Sequence, residues 1–208
     1  LAQLSGMNLK ELTIPKPAQT DLGLKHYLAA VKPPAGLSLS GWKITDAGLV
    51  NLKGLTNLRR LVLPKQITDA GVVHLVGMKL AVLRIPQQAK TDLGLKHYLA
   101  AIEPPNALDL PRWQITDAGL VYIKRLTNLE TLSLRKTKVT DAGLVHLKSL
   151  INLTRLNLWE SEVTDVGLVH LKGLTELRGL GLRNTQITDA GMVHLKELTN
   201  LQKLDLYG

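Results

Sequence analysis

Ile115-Thr116-Asp117-Ala118-Gly119-Leu120 holds one of eight copies of a Thr-Asp-x-Gly core in this 208-residue chain. The copies begin at Thr20, Thr45, Thr68, Thr91, Thr116, Thr140, Thr164 and Thr188, at intervals of 25, 23, 23, 25, 24, 24 and 24 residues. A motif that returns at so regular an interval specifies a stack of supersecondary units, each burying its apolar face against the next, rather than one closed core. The repeat is therefore the unit of size, and residues 1–208 read as a single domain of eight repeats.

Ahead of each core lies a short Leu-x-Leu run, whose period of two reads as a strand with one buried edge. Nine are expected: Leu12 to Ile14, Leu37 to Leu39, Leu61 to Leu63, Leu83 to Ile85, Leu108 to Leu110, Leu132 to Leu134, Leu156 to Leu158, Leu180 to Leu182 and Leu204 to Leu206. Like-oriented strands joined by about 20 residues pair in parallel, because an antiparallel hairpin needs only a tight turn. After each core the period lengthens. Leu144, Leu147 and Leu150 mark one helical stripe, with Thr140 or Asp141 as the N-cap. The repeated glycine in the first helical turn points to close approach of a neighbour.

These residues resemble a known family. Leu-x-x-Leu-x-Leu followed by Ile-Thr-Asp-x-Gly-Leu is similar to leucine-rich repeat proteins of the ribonuclease-inhibitor-like class, which includes the cysteine-containing repeats of F-box substrate receptors. The Asp-Ala-Gly-Leu-Val-His-Leu-Lys form resembles long bacterial arrays. The resemblance implies an α/β solenoid, a right-handed superhelix in a horseshoe arc, with about nine parallel strands on the concave side and helices on the convex side. Thr137, Ser161 and Thr185 stand where the cysteine-containing class has Cys, and no F-box precedes the repeats, so a ubiquitin-ligase role is not implied. Leu1 to Asn8 reads as half a repeat and the last residues follow a strand pattern, so both ends are expected to be cuts through a longer array.

A second period overlies the first. Thr20 to Ala29 is identical to Thr91 to Ala100, and each copy is followed by a proline pair, Pro33-Pro34 or Pro104-Pro105, and by Trp42 or Trp113. The offset of 71 residues spans three repeats, which indicates a duplicated block. Pro34 and Pro105 replace the first Leu of Leu-x-x-Leu-x-Leu and remove a backbone donor, so a break in the sheet is expected there. The two tryptophans are expected to pack over the irregular repeats.

Three Trp, four Tyr and no Phe leave Leu, Val and Ile to fill the interior. Without cysteine there is no disulfide framework. No run approaches 18 apolar residues, so membrane insertion is not expected. The formal charge of +9 suits an acidic partner. Specific nucleic-acid binding is not expected, since no interleaved aromatics or recognised module occur. Much of the basic charge is regular: Lys53, Lys124, Lys148, Lys172 and Lys196 recur late in their helices, where a cation complements the macrodipole.

All six histidines (His26, His74, His97, His146, His170 and His194) stand five residues after a repeat Asp. Neighbouring helices pack about 8–10 Å apart, far beyond the roughly 2 Å reach of zinc ligands, so no metal site is expected. Nor is catalysis or a cofactor expected. The Asp and His residues are tiled through nearly every repeat, and no GxxxxGK[ST], HExxH, GxSxG or CxxC occurs.

Departures from the repeat carry more information, because stacking demands the leucines and leaves the outward strand positions free. Around the last four strands those positions hold Arg135, Arg155, Asn157, Trp159, Arg183, Asp205 and Tyr207, with Gly179 and Gly181 leaving room beside an exposed Trp159. Trp, Tyr and Arg dominate binding hot spots. The expected function is therefore non-catalytic binding of a protein or peptide on the concave face. A second reading is a structural segment that self-associates end to end through uncapped apolar layers such as Leu1, Leu4 and Leu206.

Overall fold

The computed structural model describes residues 1–207. It contains eight three-residue strands, all parallel: β1 Gly36–Ser38, β2 Arg60–Val62, β3 Val82–Arg84, β4 Ala107–Asp109, β5 Thr131–Ser133, β6 Arg155–Asn157, β7 Gly179–Gly181 and β8 Lys203–Asp205. They form two sheets, β1-β2-β3 and β4-β5-β6-β7-β8. The central leucines pair in register, Leu37 with Leu61 and Leu83 in one sheet, and Leu108, Leu132, Leu156, Leu180 and Leu204 in the other. The backbone falls into two compact units, Leu1–Glu103 and Pro104–Gly208. Each is a stack of rungs made of strand, turn, helix and return.

Six segments are α-helical: α1 Asp21–Ala30, α2 Asp69–Val72, α3 Asp92–Ala101, α4 Asp117–Ile123, α5 Asp141–Leu144 and α6 Asp165–Leu168. The duplicated decapeptide makes the two ten-residue helices, α1 and α3. Elsewhere the helix is shorter, and in several rungs it tightens into a 3-10 turn, as at Val145–Leu147 and Val169–Leu171. Leucines from strand and helix meet inside each rung: Leu132, Leu134, Leu144, Leu147, Leu150 and Leu153 are all buried. Burying such a side chain contributes about 1.5–3 kcal/mol. A core of identical slices thus suits a chain with no Phe.

The recurring core joins one rung to the next. Thr164 caps α6 by accepting the Val166 N–H at 3.3 Å, and its hydroxyl donates back to Asp141 Oδ2 in the preceding rung at 2.6 Å. The Thr164 N–H donates to Asp141 Oδ1 at 2.7 Å. The same pair of bonds links Asp21 to Thr45, Asp46 to Thr68, Asp117 to Thr140 and Asp165 to Thr188. Threonine, not Asp, is therefore the cap, and the Asp is an inter-rung staple. It also explains the glycine, since a Cβ on Gly167 would overlap Asp141 Oδ1. At Gly23 and Gly94 the obstacle is instead a backbone carbonyl, that of Ala18 or Ala89.

Residues Leu12 to Ile14, expected as a ninth strand, are not one. The bridge between these rungs forms earlier, at Leu9 and Val31, with Leu9 N–H donating to Ala30 O at 2.8 Å and Lys32 N–H to Leu9 O at 3.0 Å. Pro33 and Pro34 then offer no N–H to continue the ladder. The duplicated segment repeats the arrangement: Leu80 bridges Ile102, just ahead of Pro104-Pro105. Both sheets begin directly after a proline pair, where the break was expected. Trp42 packs edge-on against Tyr27 of α1 (centroids 6.0 Å apart, planes at 72°), and Trp113 is buried.

Candidate functional site

Arg135, Trp159, Arg183 and Tyr207 each follow the second apolar residue of Leu-x-Leu in the rungs of β5 to β8, and so stand in one column. The backbone holds the column together. Lys136, Glu160 and Asn184 adopt positive φ of 58°, 55° and 53°. Their N–H groups donate across to the next rung, to Trp159 O (2.8 Å), Arg183 O (2.9 Å) and Tyr207 O (3.1 Å). Each rung exit is thereby tied to the one above it.

The side chains stack along the same axis. The Arg135 and Arg183 guanidinium carbons lie 5.9 and 5.8 Å from the Trp159 ring centroid, and Arg183 lies 4.5 Å from that of Tyr207. These distances fall within cation–π range. The result alternates cation and ring over four rungs. Trp159 is half-buried rather than exposed as expected, because its indole lies over Gly181. A Cβ there would come within 2.8 Å of Trp159 Cδ1. The Trp159 backbone N–H donates to Asn157 Oδ1 at 2.9 Å, which sets the angle at which the chain leaves β6.

Beside the column the outward face of β5 to β8 forms a groove of about 270 Å³, lined among others by Arg155, Asn157, Trp159, Gly181, Lys203 and Asp205. Lys136 Nζ binds Glu160 Oε2 at 2.9 Å, and this hydrogen bond holds the Glu160 carboxyl below its ordinary range, helped by the charges of Lys136, Arg135 and Arg112. Among the described residues, Arg155, Arg183 and Lys203 have no carboxylate within ion-pair distance. Arg135 Nε and Trp159 Nε1 are buried in the stack without a hydrogen-bond acceptor. The site is thus a cationic strip with two acids beside it: Glu160, paired with Lys136, and Asp205, whose Oδ1 accepts the Tyr207 N–H at 3.3 Å.

All seven residues expected from sequence belong to this region. Arg135, Trp159, Arg183 and Tyr207 form the column; Arg155, Asn157, Trp159 and Asp205 line the groove. Gly181 was expected to leave room beside Trp159 but not to seat its indole, and Lys203 and the Lys136–Glu160 pair were not anticipated. The signal for the first was present: Gly181 replaces a side chain at the centre of Leu180-Gly181-Leu182, one rung beyond the tryptophan.

Other candidates offer less. The six histidines are half-buried. His97 Nδ1 lies 3.2 Å from Asp69 O, and burial, then the Lys148 charge, lowers the His170 pKa against the pull of Asp141. Among the described residues no three His, Asp or Glu converge on a point that could hold a metal ion. A larger recess of about 700 Å³ lies among helix-side loops of the first unit, near Lys53, Arg59, His74 and Lys79. Its Arg59 is already engaged by Glu103 (3.5 Å) and Lys79 O (3.2 Å). Among the described residues no helix is long and apolar enough to cross a membrane.

The structure is similar to internalin C2 from Listeria monocytogenes, at 26% identity and a TM-score of 0.56, over 89% of this chain and 74% of that one. An internalin F structure from the same organism matches at 18% identity and a TM-score of 0.38, over 80% of this chain and 72% of that one. No protein-family model matches the sequence. No curated protein matches it either.

Proposed function

We propose that this chain, a leucine-rich repeat protein by its in-register rungs and its structural likeness, is a non-catalytic module that holds a protein or peptide on the concave, strand-bearing face of β5 to β8. The observation that carries this reading is the groove beside Trp159 with the column along it: Arg155 and Lys203 in the groove and Arg183 in the column have no carboxylate within ion-pair distance among the described residues. A surface that leaves several cations unanswered attracts an acidic partner and accelerates its arrival. Interface hot spots are enriched in Trp, Tyr and Arg, and this strip is made of them.

Catalysis is disfavoured by the tiling of the titratable groups. Asp21, Asp46, Asp69, Asp117, Asp141 and Asp165 bond the Thr of the following rung, a structural task that a reacting carboxylate would have to abandon. The test is affinity capture from a cell lysate, comparing wild type with a Trp159→Ala, Arg183→Ala double variant. A partner retained by the first and lost by the second is the expected result. Equal retention would remove the strand face of β5 to β8 as the docking surface.

A further inference from the structure

The column does more than expose cations, because it sets two of them a fixed distance apart. Arg135 and Arg183 stand two rungs from each other, about 10 Å at the spacing of parallel strands. Trp159 lies between them, close to both guanidinium carbons, and Tyr207 supports Arg183 from the far side at 4.5 Å. Arginine normally loses much rotamer freedom when it binds, and stacking on aromatic rings removes that loss in advance.

We infer that Arg135 and Arg183 form a two-point clamp for a pair of carboxylates about 10 Å apart on an acidic segment of the partner, with Trp159 and Tyr207 as positioning residues. This rests on the reading of the strand face as an interaction surface, and adds to it the chemistry and spacing of what is held. The guanidinium fork matches a carboxylate in a bidentate manner. Of the acids nearby, Glu160 is paired with Lys136 at 2.9 Å, and Asp205, on the groove side of the column, accepts the Tyr207 N–H at 3.3 Å. A nucleic-acid strand fits less well, because base stacking needs an open aromatic face, whereas guanidinium groups already stack on Trp159 and Tyr207.

Rigid peptides test the spacing. Residues i and i+3 of a polyproline helix lie on one side, about 9.3 Å apart. Titration calorimetry at low salt would compare a capped Glu-Pro-Pro-Glu peptide with Pro-Glu-Glu-Pro and Gln-Pro-Pro-Gln. The expected result is at least tenfold tighter binding of the first. That preference should vanish in Arg183→Gln, and weaken severalfold in Trp159→Leu and Tyr207→Leu variants that melt like wild type, while the helix-side variant Lys148→Gln has no effect. Equal binding of the two Glu peptides, or indifference to Arg183→Gln, would overturn the clamp but leave the face as an interaction surface. Failure of every acidic peptide to bind, or tighter binding of a ten-residue oligothymidylate, would overturn the clamp. Only a failed lysate capture would count against the wider reading.

Discussion

The carboxylate of Asp141 occupies the space that a side chain on Gly167 would need, one rung further along the chain. The Thr-Asp-x-Gly core is therefore not three separate preferences. The Asp of one rung bonds the Thr of the next and rests against its Gly, so each rung carries both halves of a joint.

Gly167→Ala should accordingly destabilise the fold by about 1–3 kcal/mol, the usual cost of overpacking. The new methyl would meet Leu144 Cδ1 at 3.0 Å as well as the Asp141 carboxylate. Asp141→Ala is also expected to be destabilising, but the double variant should lose less than the sum of the two, because removing the carboxylate makes room for the methyl. Urea unfolding of the three variants and wild type supplies the cycle.

Acid should weaken the joint at Asp165. The Thr188 hydroxyl, then its N–H, holds this carboxyl below its ordinary value. A group whose pKa is depressed on folding contributes stability that is present above its unfolded value, near 3.9, and is lost as pH falls through the lower folded value. The urea midpoint should therefore drop in that acid range. Thr188→Val should be less stable at neutral pH and show a shallower acid dependence, whereas an unchanged slope would place the depression elsewhere.

Gly181→Ala probes the seat of the indole. The obstructed atoms belong to the Trp159 side chain rather than to backbone, so the ring can be displaced. Thermal stability is expected to change by no more than about 0.5 kcal/mol, the range of ordinary surface substitutions. The stack with Arg135 and Arg183 should open and binding to acidic peptides fall. Chemical shifts of the Trp159 indole and the Arg183 guanidinium would report the displacement directly.

Asn184 tests the turn that aligns the column. At φ 53° a β-branched side chain is strained, so Asn184→Val should cost about 1–2 kcal/mol. Asn184→Gly, free of that penalty, should be tolerated. Calorimetric melting of the two variants separates backbone strain from loss of the amide side chain, since both lack it.

Much of the architecture was legible because it is local and repeated. Thr140 to Leu150 carries its own cap, glycine and helical stripe, and Leu132 to Leu134 its own alternation. The strand at Leu12 to Ile14 misled because its pattern is as good as that of its neighbours. What cancelled it lies in another rung, where Val31 takes the bridge and Pro33-Pro34 withhold donors. The binding strip was visible as a change of residue types at equivalent positions. Its stacking was not, since the same four residues could have pointed into solvent.

By itself the sequence determined the rung: its length, its buried leucines, and the parallel register that equal spacing imposes. Only the tertiary structure decided which side chains meet between rungs. Asp165 reaching Thr188, the Trp159 indole lying on Gly181, and Arg183 sandwiched between two rings are each contacts across about one repeat. The physical reason is that periodic burial dictates where a backbone must pass, whereas rotamers and hydrogen-bond partners are chosen only once the neighbouring rung is in place.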